Sequence, residues 1–368
     1  MDAMTGLLLL AGLALLTAGA HSLVQGSVRL AQAAGVSALV VGLTVVSWGT
    51  SAPELAVNIK AAYADQPDLA VGNIVGSNIF NVLFILGLCA AILPLRVHRQ
   101  LVRMDVPIML AVSVLGLLLS LDGRLSRGDG VLMLVGMAAY TLLQVRMGRK
   151  EAKPAEPPPG ESEAVPSRPR FPWRGVAEVV LGLGLLVVGA RWFVDACITS
   201  ARALGVSELV IGLTVVAAGT SMPEVATSVV ATIKGQRDIA VGNVVGSNIF
   251  NILGILGFTA LLAPLGVPVA PPALSFDMPV MIAVALACLP IFFSGHTINR
   301  WEGLLFLSYY AAYTAYLILF STQHESLTGY TQVMTAYILP LTGVTLAVIG
   351  WREWRATRVP RRSGNLPA

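Results

Sequence analysis

Apolar residues run along this chain in blocks of about twenty, parted by short polar breaks marked with glycine or proline. That is the length needed to cross a hydrocarbon layer of roughly 30 Å as a helix. The pattern predicts spans at 7–34, 37–64, 69–93, 107–121 and 130–147. A second set follows at 176–204, 208–234, 239–263, 279–293 and 303–320, and a last span at about 333–351. Gly35 ends the first span, and Pro94 and Pro264 stop the third and eighth, as residues that cannot continue a helix do. The second and seventh are each interrupted by a polar cluster, GTSAPE and GTSMPE. Residues 148–174 are rich in Pro, Glu and Ser and carry no periodicity, so they read as a disordered cytoplasmic linker. The expected organisation is a first five-helix half at 1–147, the linker at 148–174, a second half at 175–322, and an eleventh helix with a basic tail at 323–368.

The halves are copies. Residues 42–83 return at 212–253, shifted by 170 without a gap, with 26 of 42 positions identical. Identity concentrates in GTSxPE, at 49–54 and 219–224, and in AVGNxVGSNIFN, at 70–81 and 240–251. Five spans is an odd number, so the second copy enters the membrane from the opposite face, the arrangement of many transporters with a site at the bilayer midplane. The fold class is all-α: a polytopic membrane protein of two inverted five-helix repeats plus an additional C-terminal transmembrane helix.

Composition narrows the picture. The chain is 55% hydrophobic and 12% charged, against about 25% charged in ordinary soluble domains. The mean hydropathy of +0.76 excludes a soluble enzyme. The net charge of +4 comes from loops and tail and marks no nucleic-acid partner; the partner is the lipid bilayer. With the N-terminus outside, 19 of the 24 Lys and Arg fall on the inner side, which orients the chain with a cytoplasmic C-terminus in the cell (inner) membrane. The first span lacks a basic leader and a small-residue cleavage site, so it reads as retained. Cys89, Cys197 and Cys288 sit in apolar segments without ligand spacing and read as packing residues. Asp105 and Asp277, each two residues before a proline, read as N-terminal helix residues. No HExxH, GxSxG or Walker motif is present, so no enzyme is expected.

The chemistry lies in the repeated blocks. Glu54 and Glu224 stand inside apolar spans, where an acid costs about 2.5–3.5 kcal/mol on insertion scales and is functional by default. Each follows a proline, Pro53 or Pro223, which cannot donate to the carbonyl four residues earlier, that of Gly49 or Gly219. The helix is expected to open there, as backbone at membrane depth does only around a cavity or protein interior. Ser47, Thr50 and Glu54 share a helical face, as do Asn73, Ser77 and Asn81. The second copy repeats them as Thr220 with Glu224, and as Asn243, Ser247 and Asn251, with Ala217 in place of Ser47. Glycines 72, 76, 242 and 246 are expected to let these helices approach closely. Every candidate ligand is an oxygen, which suits hard cations, and a flexible set suits calcium better than magnesium. Two carboxylates balance one divalent ion, and the same oxygens suit sodium; mutually exclusive occupancy is what an antiporter needs.

At these residues the chain resembles the sodium/calcium exchanger family of the cation/calcium antiporter superfamily. GTSxPE and GNxVGSNIFN, duplicated and inverted, look like that family's alpha repeats. The resemblance implies ten helices, a site formed by the second, third, seventh and eighth, and the first and sixth sliding against the rest during alternating access. It implies that Glu54, Glu224, Thr50 and Thr220 line a calcium site, and that Ser51, Ser221, Ser77, Ser247, Asn81 and Asn251 complete sodium sites. The transported Ca2+ and Na+ are substrates, and no cofactor is implied. The chain departs from animal members in lacking a large cytosolic calcium-sensing domain, and it adds an eleventh span. Potassium-dependent relatives resemble this repeat but carry Asp where Asn251 stands, so exchange here is expected to be independent of potassium. A cation/proton exchanger and, further off, a cation channel remain as alternatives.

Overall fold

Hydrocarbon offers no hydrogen bonds to the backbone, so apolar runs of this length must satisfy themselves as helices, and they do. The computed structural model describes residues 3–64, 66–151, 172–293, 295–345, 348 and 351. Most of the expected linker (152–171) and the basic tail lie outside these. Helix α1 is Ala3–Ala34. Helices α2 (Ala38–Thr50) and α3 (Ala52–Tyr63) are two arms of one span, bent by 45°. Then come α4 (Pro67–Ile92), α5 (Leu101–Leu119) and α6 (Arg127–Glu151). The second half repeats the order with α7 (Trp173–Ala203), α8 (208–219), α9 (Met222–Ile233), α10 (Arg237–Leu262), α11 (Ala273–Phe293) and α12 (Arg300–Ser321). A further helix, α13, begins at Leu327 and follows α12 outside the repeat. The protein is all-α and polytopic. Helices α6 and α7 run a few residues into the stretch expected to be linker.

Helices α5 and α11 begin about six residues earlier than the apolar pattern predicts, because each opens with a π-helical turn, Leu101–Asp105 and Ala273–Asp277. The two aspartates close these turns and so stand near the N-terminal ends of their helices, as expected. Asp105 makes no side-chain cap. It is fully buried and accepts hydrogen bonds from Gln100 Nε2 (3.2 Å), Tyr140 Oη (3.1 Å) and Gln144 Nε2. Asp277 accepts from Tyr313 Oη at 3.0 Å. A buried carboxylate needs such donors, and here the neighbouring helix supplies most of them.

Contacts between the halves are reciprocal, as an approximate two-fold axis requires. Helices α1 and α7 pack antiparallel along glycines seven residues apart: Gly12 on Gly189, Gly19 on Gly182, and Gly26 on Gly175. A Cβ at Gly19 would lie 2.8 Å from Gly182 O, so only glycine permits this approach. Two short bridges tie the ends of the bundle. Strand β1 (Leu95–Arg96) pairs antiparallel with β4 (Thr297–Ile298), and β2 (Arg124–Leu125) with β3 (Val267–Pro268). The centre belongs to α4 and α10, whose most apolar windows are 78% and 89% buried, against 33% and 28% for α1 and α7. The third span of each half is thus the axle of the molecule. Its own apolar side chains, among them Ile74, Ile79, Val244 and Ile249, form the main core.

Candidate cation site

The site grows out of the two breaks. Helix α2 ends at Thr50, Ser51 leaves helical geometry (φ −83, ψ 10), and α3 restarts at Ala52 with Pro53 in its first turn. The second half does the same at Ser221 (φ −87, ψ 9), with Pro223 in the first turn of α9. Proline is harmless there, since the first turn has no intrahelical N–H bonds to lose. Glu54 and Glu224 also fall in that first turn, where the unpaired N–H groups of a helix start favour negative charge. The expected opening is therefore a full restart, and Ser47, Thr50 and Glu54 do not share one continuous helix.

Serine in the N-cap position ordinarily bonds its own helix. Neither Ser51 nor Ser221 does. Ser51 Oγ donates instead to Glu224 Oε1 at 2.8 Å, and Ser221 Oγ donates to Glu54 Oε1 at 2.9 Å. Each carboxylate is held by the other half's serine. Ser221 Oγ also lies 3.2 Å from Ser77 Oγ, which brings α3, α4 and α9 to one point. Thr50 Oγ1 lies 3.1 Å from Asn243 Oδ1, and Thr220 Oγ1 3.3 Å from Asn73 Oδ1. These asparagines are anchored in turn: Asn243 Nδ2 donates to Ser228 Oγ (3.0 Å) and Asn73 Nδ2 to Asn58 Oδ1 (2.6 Å). Asn81 Nδ2 donates to Asn248 Oδ1 (3.0 Å), and Asn251 Nδ2 to Asn78 Oδ1 (2.9 Å).

What these bonds leave over is informative. Glu54 Oε2, Glu224 Oε2, Asn81 Oδ1, Asn251 Oδ1 and Ser247 Oγ are buried without a hydrogen-bond partner among the described residues. They are five of eleven such atoms among the described residues; the other six, on Ser27, Gln100, Glu178, Thr227, Arg237 and His296, lie outside the candidate set. Both glutamates are 1% exposed, and the ion pairs among the described residues, Arg29–Glu178, Arg174–Glu178 and Arg191–Asp195, involve neither. Two carboxylates with amide and hydroxyl oxygens at hand and no base nearby fit a hard cation. No cluster of three or more His, Cys, Asp or Glu occurs among the described residues, so transition-metal chemistry has no ligand set in them.

Sequence reasoning overlooked four of the supporting groups. Asn58 and Ser228 stand one turn beyond the glutamates, at equal repeat positions, and that spacing was the available signal. Asn78 and Asn248 lie inside the repeated GSN, but helical spacing turns them away from their neighbours Ser77 and Ser247. The expected close approach is seen at the second-half glycines. A Cβ at Gly242 or Gly246 would meet the α2 backbone, at 3.1 Å from Leu39 O and 2.7 Å from Leu43 O. A Cβ at Gly72 or Gly76 would meet no described atom within 4 Å. The site shares this asymmetry: Thr50 and Asn243 are fully buried, whereas Thr220 and Asn73 are half-buried.

Two halves of apolar helices, related by an approximate two-fold axis and closing on two buried carboxylates with no ion-pair partner among the described residues, define a membrane cation transporter. The chain belongs to the sodium/calcium exchanger family: the family described as "Sodium/calcium exchanger protein" matches residues 4–146 and 175–319. It is a cation/calcium antiporter of that family, and the 147–174 stretch between the matched segments is too short to house a folded regulatory domain. It is 41% identical over 284 residues to the inner membrane protein YrbG of Escherichia coli, covering 76% of this chain and 86% of that one. It is 34% identical over 343 residues to the sodium/calcium exchanger MaX1 of Methanosarcina acetivorans, covering 84% and 97%. A solved structure of the sodium-calcium exchanger NCX_Mj superimposes with a TM-score of 0.72 at 33% identity, over 86% of this chain and 100% of that one.

Proposed function

We propose that this protein exchanges sodium for calcium by alternating access to one site, formed by Glu54, Glu224, Thr50, Thr220, Ser51, Ser221, Ser77, Ser247, Asn81 and Asn251. The observation that carries this reading is two repeat-related pairs of buried oxygens without hydrogen-bond partners among the described residues, Glu54 and Glu224 Oε2 with Asn81 and Asn251 Oδ1. Calcium takes six to eight oxygens at flexible distances and its charge matches the two glutamates. Sodium competes for the same oxygens with half the charge per ion, so neither cargo binds well while the other is present. The name of MaX1 supports sodium as the counter-ion.

Alternating access needs two conformations in which the halves exchange roles. The asymmetry at the glycines supports one of them here. On one side α2 lies against Gly242 and Gly246 and seals the site. On the other, Gly72 is exposed and Gly76, Asn73 and Thr220 are partly exposed. With the N-terminus outside, as the distribution of basic residues favours, α8 lies on the outer side and this conformation faces outward. In the opposite state Leu209 and Leu213, repeat counterparts of Leu39 and Leu43, close on Gly72 and Gly76. The spans expected to slide, α1 and α7, are joined along their glycine seam and by the Arg29–Glu178 ion pair, which favours their moving together.

The test is calcium uptake into proteoliposomes loaded with sodium. Uptake should require an outward sodium gradient and vanish when sodium is equal on both sides. Uptake driven by a pH gradient without sodium would replace the reading with cation/proton exchange, and uptake down the calcium gradient alone would replace it with a channel.

A further inference from the structure

An asparagine side chain is oxygen at one end and a double donor at the other, in nearly the same shape. Presented to a cation, the wrong end repels it. Asn81 and Asn251 therefore serve a cation site only if something fixes which end faces in. We propose that Asn78 and Asn248, which no sequence argument assigned to the site, are positioning residues that fix it, each for the other half's asparagine. This rests on the cation site proposed above and adds to it the control of its polarity.

The chain of constraints begins at atoms that cannot change role. Asn248 Nδ2 lies 3.3 Å from Asn78 O and 3.5 Å from Met109 Sδ. Asn78 Nδ2 lies 3.2 Å from Asn248 O and 3.5 Å from Met281 Sδ. A backbone carbonyl and a thioether only accept, so the amide nitrogens must face them and the amide oxygens must point the other way. Those oxygens meet Asn81 Nδ2 at 3.0 Å and Asn251 Nδ2 at 2.9 Å. An amide oxygen only accepts, so it takes up the donor end of Asn81 or Asn251 and leaves the oxygen end free. Both freed oxygens, Asn81 Oδ1 and Asn251 Oδ1, are among the buried atoms without a partner. All four asparagines are buried, so no bulk water competes for these bonds. Each link crosses the two-fold axis, and α4 and α10 enter π-helical turns just there, at Asn81–Leu86 and Asn251–Leu256, as helices often do at functional sites.

Asn248→Leu keeps the volume and removes the acceptor, so the Asn81 amide loses its fixed orientation. The expected result, in proteoliposomes of the full chain, is a KM for calcium raised about tenfold, with the protein still monodisperse. The discriminating arm repeats the change in an Asn81→Asp background. A carboxylate has oxygen at both ends and no wrong orientation, so there the same substitution should change KM less than about threefold, or lower it. Equal fold-changes in the two backgrounds would mean that Asn248 is merely structural and would overturn the proposal, as would no change in either. If Asn248→Leu does not fold, Asn248→Thr and Asn248→Val, alike in shape and differing in one hydroxyl acceptor, are compared in both backgrounds. Only Val should show the background-dependent loss; equal behaviour of Thr and Val contradicts the proposal. Glu54→Gln and Glu224→Gln run in parallel separate the two readings: if they still transport calcium the site is wrong, and if they do not while the cycle is additive only the positioning role fails.

Discussion

Asn251 decides how much charge the site commands. It and its counterpart Asn81 are neutral, so Glu54 and Glu224 must balance every bound cation. One calcium ion already does so. A further potassium ion would bring an unbalanced charge into a desolvated interior, where an isolated charge costs far more than in water. Calcium uptake by sodium-loaded vesicles should therefore proceed equally well in external choline or potassium, with the membrane potential clamped by a protonophore. A strict potassium requirement would contradict the charge argument. Asn251→Asp should shift the competition between the ions, with calcium KM changing severalfold. At this scale the glutamates were legible in the sequence, because an acid inside an apolar run is costly and this one stands at the same place in both copies. Asn78 and Asp105 were not. What holds each of them comes from far along the chain, Asn248 for one and Gln144 for the other, and one-dimensional spacing does not record such a partner.

In the proposed mechanism helices, not residues, open and close the site. The apolar pattern located the spans, and the two polar clusters located the breaks. The pattern was silent on the π-helical turns, which recur at equal positions in the halves: Gly42–Val46 with Gly212–Val216, Asn81–Leu86 with Asn251–Leu256, and Leu101–Asp105 with Ala273–Asp277. One inserted residue shifts a helix face without changing hydrophobicity, so no period reveals it. The sequence also treated Gly72 and Gly76 as equal to Gly242 and Gly246, and in one conformation they are not. This difference yields a sharp expectation. Gly76→Val adds bulk at a partly exposed position where no described atom lies within 4 Å of a Cβ, so the protein should fold with an unchanged Tm. In the opposite state the same position must accept backbone as close as Gly246 does now, and the valine blocks it. Exchange should fall at least tenfold. Gly184→Val, at an exposed glycine with no described atom within 4 Å of a Cβ, should leave exchange unchanged. Normal exchange by Gly76→Val would mean that α8 never closes on α4.

The whole molecule is a two-fold device in which the bonds that hold the glutamates and the paired asparagines cross its own axis. Serine of one half holds glutamate of the other, and asparagine of one half faces asparagine of the other. Neither half contains the proposed site complete. Helix α13 stands outside this symmetry. It touches α12 through Tyr330 Oη, which donates to Ala312 O at 2.7 Å, and through a Tyr309–Thr342 hydroxyl contact. In the proposed function calcium and sodium share one site built on two carboxylates. The decisive measurement is calcium binding to the purified, detergent-solubilised protein, by calorimetry at rising sodium concentrations. One calcium per chain is expected, displaced competitively by sodium, with no measurable binding in Glu54→Gln or Glu224→Gln variants that still fold. Calcium binding that persists in either variant, or that sodium does not displace, would contradict it.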